Sequence, residues 1–299
     1  MTTSPPMTGI NYRKLIKKRL RLWQGRLHQV VVKYFFSYDP AQLLPALRRL
    51  GIRSGDAIML HSAFEMHHGF RGTAGQALDV FVEAVGKQGH LLMPSMAYHG
   101  ALLDYLTQLK SFDARRTPST MGLVSEFFRR RPGVLRSVNP AHPILVKGPK
   151  AAWFVEGHQD CPHSCGAGSP FEKLLQVGGK VAFFNVPFAY FTFFHHLEDR
   201  VASHLNFPLY HQPPFQVPVV DREGRASTTT SFAFSRETLR RRRFPILEAE
   251  MRRKGLIKSV RIGATYVLLV ELSGVVAAVD DMTRDGRYFY DMDTSGAST

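Results

Sequence analysis

The chain is poor in cysteine, which limits the compartments in which it is expected to work. Among 299 residues only Cys161 and Cys165 are cysteines, too few for the disulfide framework on which small secreted domains depend. No secretory signal is recognisable at the N-terminus. We therefore expect a protein of the reducing cytoplasm.

Long apolar runs are also missing. None approaches the ~18 residues that a membrane-spanning helix requires, so no transmembrane segment is expected. The composition is nevertheless 44% hydrophobic, which is enough to bury a large core. No internal repeat and no clear linker divides the chain, and we expect one α/β domain with an N-terminal extension.

Acidic residues are scarce, and the formal net charge is +15. Residues 1–38 contain eight Lys or Arg and no Asp or Glu, and a second basic cluster spans Arg240–Arg243. Such a charge favours phosphorylated substrates, acidic polysaccharide, anionic membranes or nucleic acid as partners, and it argues against a polycationic substrate. Because no zinc-finger or RNP motif is present, nucleic acid is not expected.

The extension, which we place at residues 1–38, contains a predicted amphipathic helix over residues 12–36. Apolar residues recur there at spacings of three and four, which places them on one helical face: Ile16, Leu20, Trp23, Leu27, Val31 and Tyr34. A basic helix of this type can lie on the anionic inner face of a membrane. The alternative is a helix whose apolar stripe packs on the domain and whose basic face is solvated.

From residue 39 onwards the pattern alternates between helices and strands. A helix opens at Asp39-Pro40, a strand covers Ala57–Leu60, a helix covers Ala74–Val85 and another strand covers His90–Met93. This order predicts a largely parallel sheet with a ligand crevice outside the carboxyl ends of its strands. The residues expected at that edge are His61, Ser62, Ser95 and Tyr98.

Two polar segments are candidate ligand sites. Thr117-Pro118-Ser119-Thr120 precedes a predicted helix, Met121–Arg130, whose start could bind phosphate; ordinary helix capping is the alternative. His158–Cys165 contains two Cys and two His. Their spacing does not match the usual paired zinc ligands, and no metal is expected.

The stretch Val181–Arg200 carries the strongest chemical signal. A buried strand, Val181–Val186, is stopped by Pro187, and a helix follows with Thr192 as its expected N-cap. His195 and Glu198 then share a face, because they lie three residues apart. A neutral imidazole in a first helical turn, oriented by a carboxylate, suits a general base. A solvated surface pair is the alternative.

The C-terminal third is predicted to contain a hairpin, a basic helix and two further strands. The hairpin pairs Gln216–Val220 with Ala226–Thr230, and the basic helix covers Ser235–Gly255 with a break at Pro245. The two strands are Tyr266–Glu271 and Val275–Val279. Residues 286–299 are expected to form a loose tail.

Taken in order, these segments resemble the aminoglycoside 3-N-acetyltransferase family, antibiotic N-acetyltransferases that are distinct from the GNAT fold. The matching stretches run from about Leu44 to Val279. They are GIRSGDAIMLHSAF, GFRGTAG, GHLLMPSMAY, TPSTMGLVSEFFR, RPGVLRSVNP, GAGSPFEKLL, TFFHHLE and IGAT. Each stretch is weak alone, and the ordered set is more specific.

The resemblance implies an α/β/α sandwich around a mixed, largely parallel sheet over residues 39–285. It also implies an enzyme that acetylates a primary amine on a sugar ring with acetyl-CoA and needs no metal. The family's T-x-x-H-x-x-E motif falls on Thr192, His195 and Glu198, which implies that His195 is the base and Glu198 its orienting partner. The residues implied to hold the coenzyme are His61, Ser62, Thr73, Thr117, Ser119 and Thr192.

The chain departs from the family pattern at one loop and in its charge. Asn139 stands where the resistance enzymes usually have His, with His142 three residues later. The basic charge does not suit a polycationic drug, so we expect an amino sugar that carries negative charge. A nucleotide-linked or lipid-phosphate-linked sugar of surface-polysaccharide synthesis would fit, and the basic helix would then approach a lipid-linked acceptor.

Two other functions stay open at this stage. The chain could be a catalytically weak family member that binds an anionic polymer or membrane through its basic faces. It could also acylate a hydroxyl, or use another acyl group such as malonyl. The His195/Glu198 pair favours an enzyme over a binding protein, because a family member without catalytic activity would have no use for this pair.

Overall fold

The computed structural model describes residues 12–64 and 69–292. The start of the predicted extension and the last seven residues of the predicted tail lie outside this range. The strands are β1 (Ala57–Ser62), β2 (His90–Pro94), β3 (Phe112–Asp113), β4 (Leu135–Arg136), β5 (Ile144–Lys147), β6 (Lys180–Phe184), β7 (Phe215–Val220), β8 (Ala226–Ser231), β9 (Lys258–Ile262) and β10 (Thr265–Glu271). The helices are α1 (Tyr12–Phe35), α2 (Pro40–Leu50), α3 (Ala74–Val85), α4 (Leu102–Gln108), α5 (Leu123–Arg129), α6 (Ala151–Val155), α7 (Pro170–Gln176), α8 (Phe194–Val201), α9 (Arg236–Arg241), α10 (Phe244–Arg253) and α11 (Leu272–Arg284).

A seven-stranded mixed sheet with the strand order β4-β5-β2-β1-β6-β10-β9 forms the centre of the fold. β1 pairs in parallel with β2 and with β6, and the outer pairs are antiparallel. β4 and β5, like β9 and β10, are joined by connections too short for a crossover, so they run antiparallel. The mixed sheet is confirmed, and its parallel part is confined to the three central strands.

Both faces of the sheet are covered by helices, which confirms the α/β/α class. Ala57 and Met59 of β1 pack in the core formed with α6, α7, α8, α10 and α11. Ile58 and Leu60 point to the opposite core, formed with α2, α3 and α5. Because β1 is buried on both faces, its sequence is a continuous apolar run without alternation.

A smaller sheet with the order β3-β7-β8 lies beside α4. β7 and β8 pair antiparallel, with Phe215 opposite Ser231 and Val220 opposite Ala226. The predicted hairpin is therefore confirmed. The core beneath it includes Leu106, Phe112 and Val217.

The strand predicted at Val275–Val279 was wrong, because this segment is helical and lies within α11. The buried residues of α11 are Leu272, Val275, Val276, Ala278, Val279 and Met282. They follow the helical period, whereas the β-branched composition favours a strand.

The basic segment is broken next to Pro245, as predicted. It forms two helices, α9 and α10, which separate at Arg242-Arg243, and Pro245 sits in the first turn of α10.

Side chains beyond residue 286, where a loose tail is predicted, are still buried in the domain. Phe289 is 1% exposed and Tyr290 is 3% exposed. The backbone N–H of Arg243 donates to the carbonyl of Phe289. A tail that begins at residue 286 is therefore wrong for the part that the structure describes, because aromatic residues dock it on the core.

Helix α1 exposes most of the apolar stripe whose side chains are described. Trp23 is 63% exposed and Tyr34 71%, and Leu27 is also exposed, whereas Val32 near the end of the helix is buried. At these three positions the stripe does not pack on the domain. Among the described residues, no helix is both long and apolar enough to cross a membrane.

The joint between α1 and the domain is tightly packed around the carbonyl oxygen of Phe36. This oxygen accepts a hydrogen bond from the backbone N–H of Ala264. A Cβ added at Gly69 would lie 2.4 Å from it, and one added at Gly263 would lie 2.1 Å from it. Both glycines also have positive φ, +81° and +53°, so no other residue fits these positions without displacing the joint.

Candidate active site

Two adjoining cavities open at the carboxyl ends of the parallel strands, where the sequence predicts the ligand crevice. The larger, about 600 Å³, is lined by the ends of β1 and β2 and by residues that follow β6. The smaller, about 110 Å³, is lined in part by His142, His195, Phe234 and Arg242. Tyr98 and Gly100 line both, so the two cavities share a wall.

His195 and Glu198 are directly bonded on α8. The distance from His195 Nδ1 to Glu198 Oε2 is 2.7 Å. The Glu198 side chain is completely buried, whereas that of His195 is 20% exposed. The pair is therefore not the solvated surface pair that was the alternative.

The buried Glu198 carboxylate is held by two further side chains. Arg242 donates from Nε to Oε1 over 2.7 Å and from Nη2 to Oε2 over 2.9 Å, and the hydroxyl of Tyr290 donates to Oε1. A buried carboxylate needs such a partner, because an unpaired charge in the interior is strongly unfavourable. The guanidinium also lies over the ring of Phe234, 4.9 Å from its centroid.

This arrangement fixes the protonation pattern of the neutral His195 ring. An ionised carboxylate only accepts hydrogen bonds, so Nδ1 carries the proton and Nε2 keeps a free lone pair. Nε2 makes no hydrogen bond with the described residues, and His195 lines the smaller cavity. Nε2 is therefore the atom that can take a proton from a molecule bound there.

His142 forms an uncharged neighbour for His195. The two ring centroids are 4.9 Å apart, and His142 Nδ1 lies 2.6 Å from Ser164 Oγ. Burial, and next the proximity of His195, His158 and Arg242, whose positive forms would repel a second positive charge, hold the pKa of His142 well below its usual value. His142 therefore stays neutral beside His195.

Asn139 shapes the loop that presents His142. Its side-chain oxygen accepts hydrogen bonds from the backbone N–H groups of Ala141 and His142, over 3.0 and 3.1 Å. Its side-chain nitrogen donates to the carbonyl of His158. In this chain the asparagine supports the loop, and the imidazole that meets His195 comes from His142.

Three of the residues implied to hold a coenzyme meet at the wall of the larger cavity. His61, Ser62 and Thr192 all line it, and Thr192 Oγ1 lies 3.2 Å from His61 Nε2. Burial lowers the pKa of His61 to about 3. Ser62 Oγ is buried without a hydrogen-bond partner among the described residues, so its hydrogen-bonding capacity is unused.

Thr192 does not cap α8 as the sequence had suggested. The N-cap position is Phe193, which has no side-chain capping bond. The hydroxyl of Thr192 instead turns towards His61 and towards Met59 Sδ, 3.7 Å away. Thr192 is therefore part of the cavity wall, and it does not cap the helix.

Thr73, Thr117 and Ser119 lie off the walls of both cavities. Thr73 caps α3, with Gln76 as its reciprocal partner. Thr117 Oγ1 accepts from the backbone N–H of Asp113, and Ser119 Oγ bonds Ser125 Oγ over 3.0 Å. These three hydroxyls stabilise local structure. Thr120 is the member of this segment that reaches the larger cavity.

The expected phosphate site at this helix start is also occupied by the protein itself. The backbone N–H of Ser119 donates to a carboxylate oxygen of Glu126 over 3.0 Å. The helix α5 starts at Leu123, two residues later than predicted, after an N-cap glycine, Gly122. Capping of this helix by Ser119 or Thr120, the alternative considered from the sequence, is not found either, because the N-cap Gly122 makes no side-chain capping bond.

The segment with two Cys and two His shows no ligand cluster. In the range that the structure describes, no group of three or more His, Cys, Asp or Glu is arranged to hold a metal ion. His158 is completely buried, with hydrogen bonds to Ser137 Oγ over 2.7 Å and to the carbonyl of Ser164 over 2.7 Å. Its role is to support the Asn139 loop.

Arg242, Tyr290 and Phe234 are residues of this site that were not identified from the sequence, whereas His142 was noted only as the histidine that follows Asn139. Arg242 belongs to the Arg240–Arg243 run, which gave only a charge signal, and Tyr290 lay in the predicted tail. Neither position has a local pattern that links it to Glu198. The contacts arise from the tertiary fold.

The geometry defines an α/β/α fold with a histidine, oriented by a buried carboxylate, at the carboxyl edge of its parallel strands. The family model described as aminoglycoside 3-N-acetyltransferase matches residues 59–284, which is more than half of the chain. The chain belongs to this family of N-acetyltransferases, and the resemblance read from the sequence is confirmed.

Individual relatives agree with this assignment. Aminoglycoside N(3)-acetyltransferase III of Salmonella sp is 28% identical over 198 residues, which cover 62% of this chain and 68% of the relative. Aminoglycoside N(3)-acetyltransferase IX of Micromonospora chalcea is 25% identical over 247 residues, covering 77% and 87%.

Solved structures of the same family share the fold. The structure of AAC-IIIb in binary complex with CoASH aligns with a TM-score of 0.68 at 25% identity and covers 84% of this chain and 97% of that chain. The apoenzyme of aminoglycoside acetyltransferase AAC(3)-IVa aligns with a TM-score of 0.69 at 23% identity, covering 87% and 94%. The predicted fold class is therefore confirmed independently.

Proposed function

We propose that this protein transfers the acetyl group of acetyl-CoA to a primary amine of an amino sugar, with His195 as the general base. The observation that carries the proposal is the 2.7 Å bond between His195 Nδ1 and a fully buried Glu198 beside an open cavity. The CoASH complex of AAC-IIIb and the names of the curated relatives support the reaction class.

In the proposed reaction the amine nitrogen attacks the carbonyl carbon of the thioester. His195 Nε2 takes a proton from that nitrogen, and the resulting imidazolium is stabilised by the Glu198 carboxylate to which Nδ1–H donates. The tetrahedral intermediate then collapses, the C–S bond breaks, and the thiolate of CoA leaves and takes up the proton from His195. The products are an amide and free CoA.

The larger cavity is the proposed site for the acyl donor. His61 is buried and neutral there, so it presents no charge to the apolar arm of the coenzyme. The buried Ser62 hydroxyl has no partner among the described residues, and it is suited to donate to the oxyanion that forms on the thioester oxygen. Thr192 supports His61 from the side of α8.

We infer that the acceptor is not a polycation. Neither cavity has an Asp or Glu among its described lining residues, and the nearby Glu198 is already neutralised by Arg242. An acceptor with several ammonium groups would find no counter-charge there. An amino sugar that carries phosphate, linked to a nucleotide or to a lipid, fits the positive surroundings better.

We further propose that residues 1–38 form an extension that holds the catalytic unit, residues 39–285, on an anionic membrane surface. The segment has eight Lys or Arg and no acidic residue. Helix α1 exposes Trp23, Leu27 and Tyr34. Basic residues attract anionic headgroups, and exposed aromatic and apolar side chains insert at the interface. Such contact would bring the enzyme to a lipid-linked acceptor.

The test is thiol release from acetyl-CoA with a panel of acceptors: simple amino sugars, nucleotide-linked amino sugars and aminoglycosides. We expect turnover with a phosphate-bearing amino sugar, lowered ~10²-fold or more by His195→Ala. The exposed His204 supplies the control, and His204→Ala should keep wild-type turnover. The acceptor proposal fails if an aminoglycoside is by far the best substrate.

A protein that neither binds nor consumes acetyl-CoA would contradict the enzymatic proposal as a whole. The alternative would then remain, in which the protein is a catalytically weak family member that binds an anionic polymer or membrane. Strong binding to such a surface that weakens steeply with salt would be its signature.

A further inference from the structure

A third cavity, lined by arginines, lies outside the proposed active site. Its volume is about 430 Å³, and it is bounded by the end of α5, the turn into β4, the segment after β3 and the turn between β7 and β8. We call it the arginine cavity. Six arginines line it: Arg115, Arg129, Arg130, Arg131, Arg136 and Arg222.

Only half of these guanidinium groups are paired with carboxylates. Glu126 bonds Arg129 over 2.7 Å and Arg130 over 2.8 Å. These bonds lower the pKa of Glu126 to about 2, and the bond to Arg129 has the largest effect. Arg131 pairs with Asp79. The other three, Arg115, Arg136 and Arg222, make no ion pair with the described residues. Because Arg129 and Arg130 share the single carboxylate of Glu126, the six guanidinium groups face only two carboxylates, and the cavity has an excess of about four positive charges.

Arg136 is the most constrained of the unpaired arginines. It is 7% exposed, and its two terminal nitrogens donate to the carbonyls of Thr117 and Ser95. The guanidinium lies over the ring of Phe112, 4.8 Å from its centroid. Its Nε is buried and makes no hydrogen bond with the described residues. Burial, and next the charge of Arg129, lower its pKa to about 10.

A buried guanidinium with an unused donor is costly unless an anion compensates it. No carboxylate of the described residues pairs directly with Arg136, and those of Glu126 and Asp113 act on it only from a longer distance. The arrangement is suited to an external anion. Arginine is also the side chain that best binds phosphate, because its donors form a planar fork.

We propose that the arginine cavity binds a phosphate monoester or diphosphate group. Three unpaired guanidinium groups match the two to three negative charges of such a group. The cavity is larger than an inorganic phosphate needs, which leaves room for a sugar or nucleoside attached to it.

The arginine cavity and the larger active-site cavity lie at opposite ends of α5. Ser125 and Met121, near the start of α5, line the active-site cavity, whereas Arg129 and Arg130, at its end, line the arginine cavity. Arg136 also holds Ser95, which lies between Pro94 and Met96 of the active-site wall. The anion is thus bound beside the active site, and its source is the phosphorylated acceptor, the coenzyme or a free diphosphate.

Titration calorimetry with inorganic diphosphate tests the site without any acetyl transfer, so its result is independent of the proposed reaction. The full chain should bind one diphosphate in a saturable manner. Arg115→Ser with Arg222→Ser should weaken binding about tenfold or more, since two charge-assisted donors are lost. Both positions are exposed, so the variant should keep its fold.

The matched control removes the same charge elsewhere. Arg49 and Lys87 are exposed and make no ion pair with the described residues, and Arg49→Ser with Lys87→Ser should change the affinity less than about twofold. An equal loss in both double variants would mean that only the overall charge attracts diphosphate, and this would overturn the proposal. So would the absence of saturable binding to the wild type.

Kinetics then identify the source of the anion. A KM that rises in the Arg115/Arg222 variant for a phosphorylated amino sugar, but not for its unphosphorylated form, assigns the cavity to the acceptor. A rise for acetyl-CoA, but not for its 3′-dephospho form, assigns it to the coenzyme. Inhibition by free diphosphate that the variant abolishes, with both KM values unchanged, assigns it to a separate effector.

Discussion

The hydroxyl of Tyr290 donates a hydrogen bond to the buried carboxylate of Glu198, 92 residues earlier in the chain. Glu198 thereby receives bonds from three side chains, those of His195, Arg242 and Tyr290. Burial, and next the charge of Glu198, raise the pKa of Tyr290, so the hydroxyl keeps its proton and remains a donor. The carboxylate that orients His195 is therefore held in part by a residue that lies 92 positions later in the chain.

Tyr290→Phe should slow acetyl transfer without weakening the binding of acetyl-CoA. The loss of one of the bonds to Glu198 loosens the carboxylate that orients His195, and we expect kcat to fall about 3- to 30-fold. The KM for acetyl-CoA should stay the same. Tyr288→Phe is the matched control, because Tyr288 is half-buried and its hydroxyl makes no hydrogen bond with the described residues. Equal kcat values for both variants would contradict the role given to Tyr290.

Arg242→Met should destabilise the protein as well as inactivate it. It removes the two bonds that neutralise the completely buried Glu198, and breaking such a pair costs about 3–5 kcal/mol. Urea unfolding measures this loss. Arg240→Met removes an exposed charge two residues away and should cost less than about 0.5 kcal/mol. A variant Arg242→Met as stable as the wild type would show that Glu198 does not depend on this arginine.

The stability of the protein should fall on mild acidification because of its buried histidines. Burial lowers the pKa of His61 to about 3. Burial is also the largest cause that lowers the pKa of His158, to about 4. Since both folded values lie below the unfolded value of about 6.5, the unfolded chain takes up protons first. The stabilisation is complete above about pH 6.5 and is lost as the pH falls towards 4.

Urea unfolding at about pH 7 and about pH 5 measures this effect, which should be about 2 kcal/mol for each such histidine. His158→Gln lowers the stability at both pH values, and it should reduce the difference between them by about the contribution of one histidine. The exposed His204 is the comparison, and His204→Gln should leave the difference unchanged. A stability that does not depend on pH in this range would contradict the neutral, buried state of His61, His142 and His158.

Trp23→Ser with Leu27→Ser should release the protein from anionic vesicles. Both side chains are exposed on α1, and each contributes roughly 1–2 kcal/mol when its apolar surface leaves water. We expect at least about a tenfold weaker binding to vesicles rich in anionic lipid, measured by co-sedimentation. The control is Val177→Ser with Ile246→Ser, which removes two exposed apolar residues elsewhere. Wild-type binding that is equally strong for neutral vesicles would contradict an electrostatic contribution.

The sequence predicted those parts of the site that depend on local spacing. The pairing of His195 with Glu198 follows from the helical period, and the position of His61 and Ser62 follows from the end of a buried strand. Arg242 lies 44 residues and Tyr290 92 residues from Glu198, and no periodic pattern connects such positions. Polar groups of Thr117 and Ser119 bond within the protein to Asp113, Ser125 and Glu126, and the sequence could not predict these contacts because only the folded loop creates them. The helix at Val275–Val279 was missed since a β-branched run suits both a strand and a buried helix face.

The tight joint at Phe36 has a geometric consequence for a protein that works at a surface. The Phe36 carbonyl is packed against Gly69 and Gly263 and accepts a hydrogen bond from Ala264, so the chain that follows α1 is held next to the start of β10. If α1 lies flat on a bilayer, this joint limits how far the domain can move away from the surface. A lipid-linked acceptor would then need a linker long enough to span the distance from the bilayer to the active-site cavity.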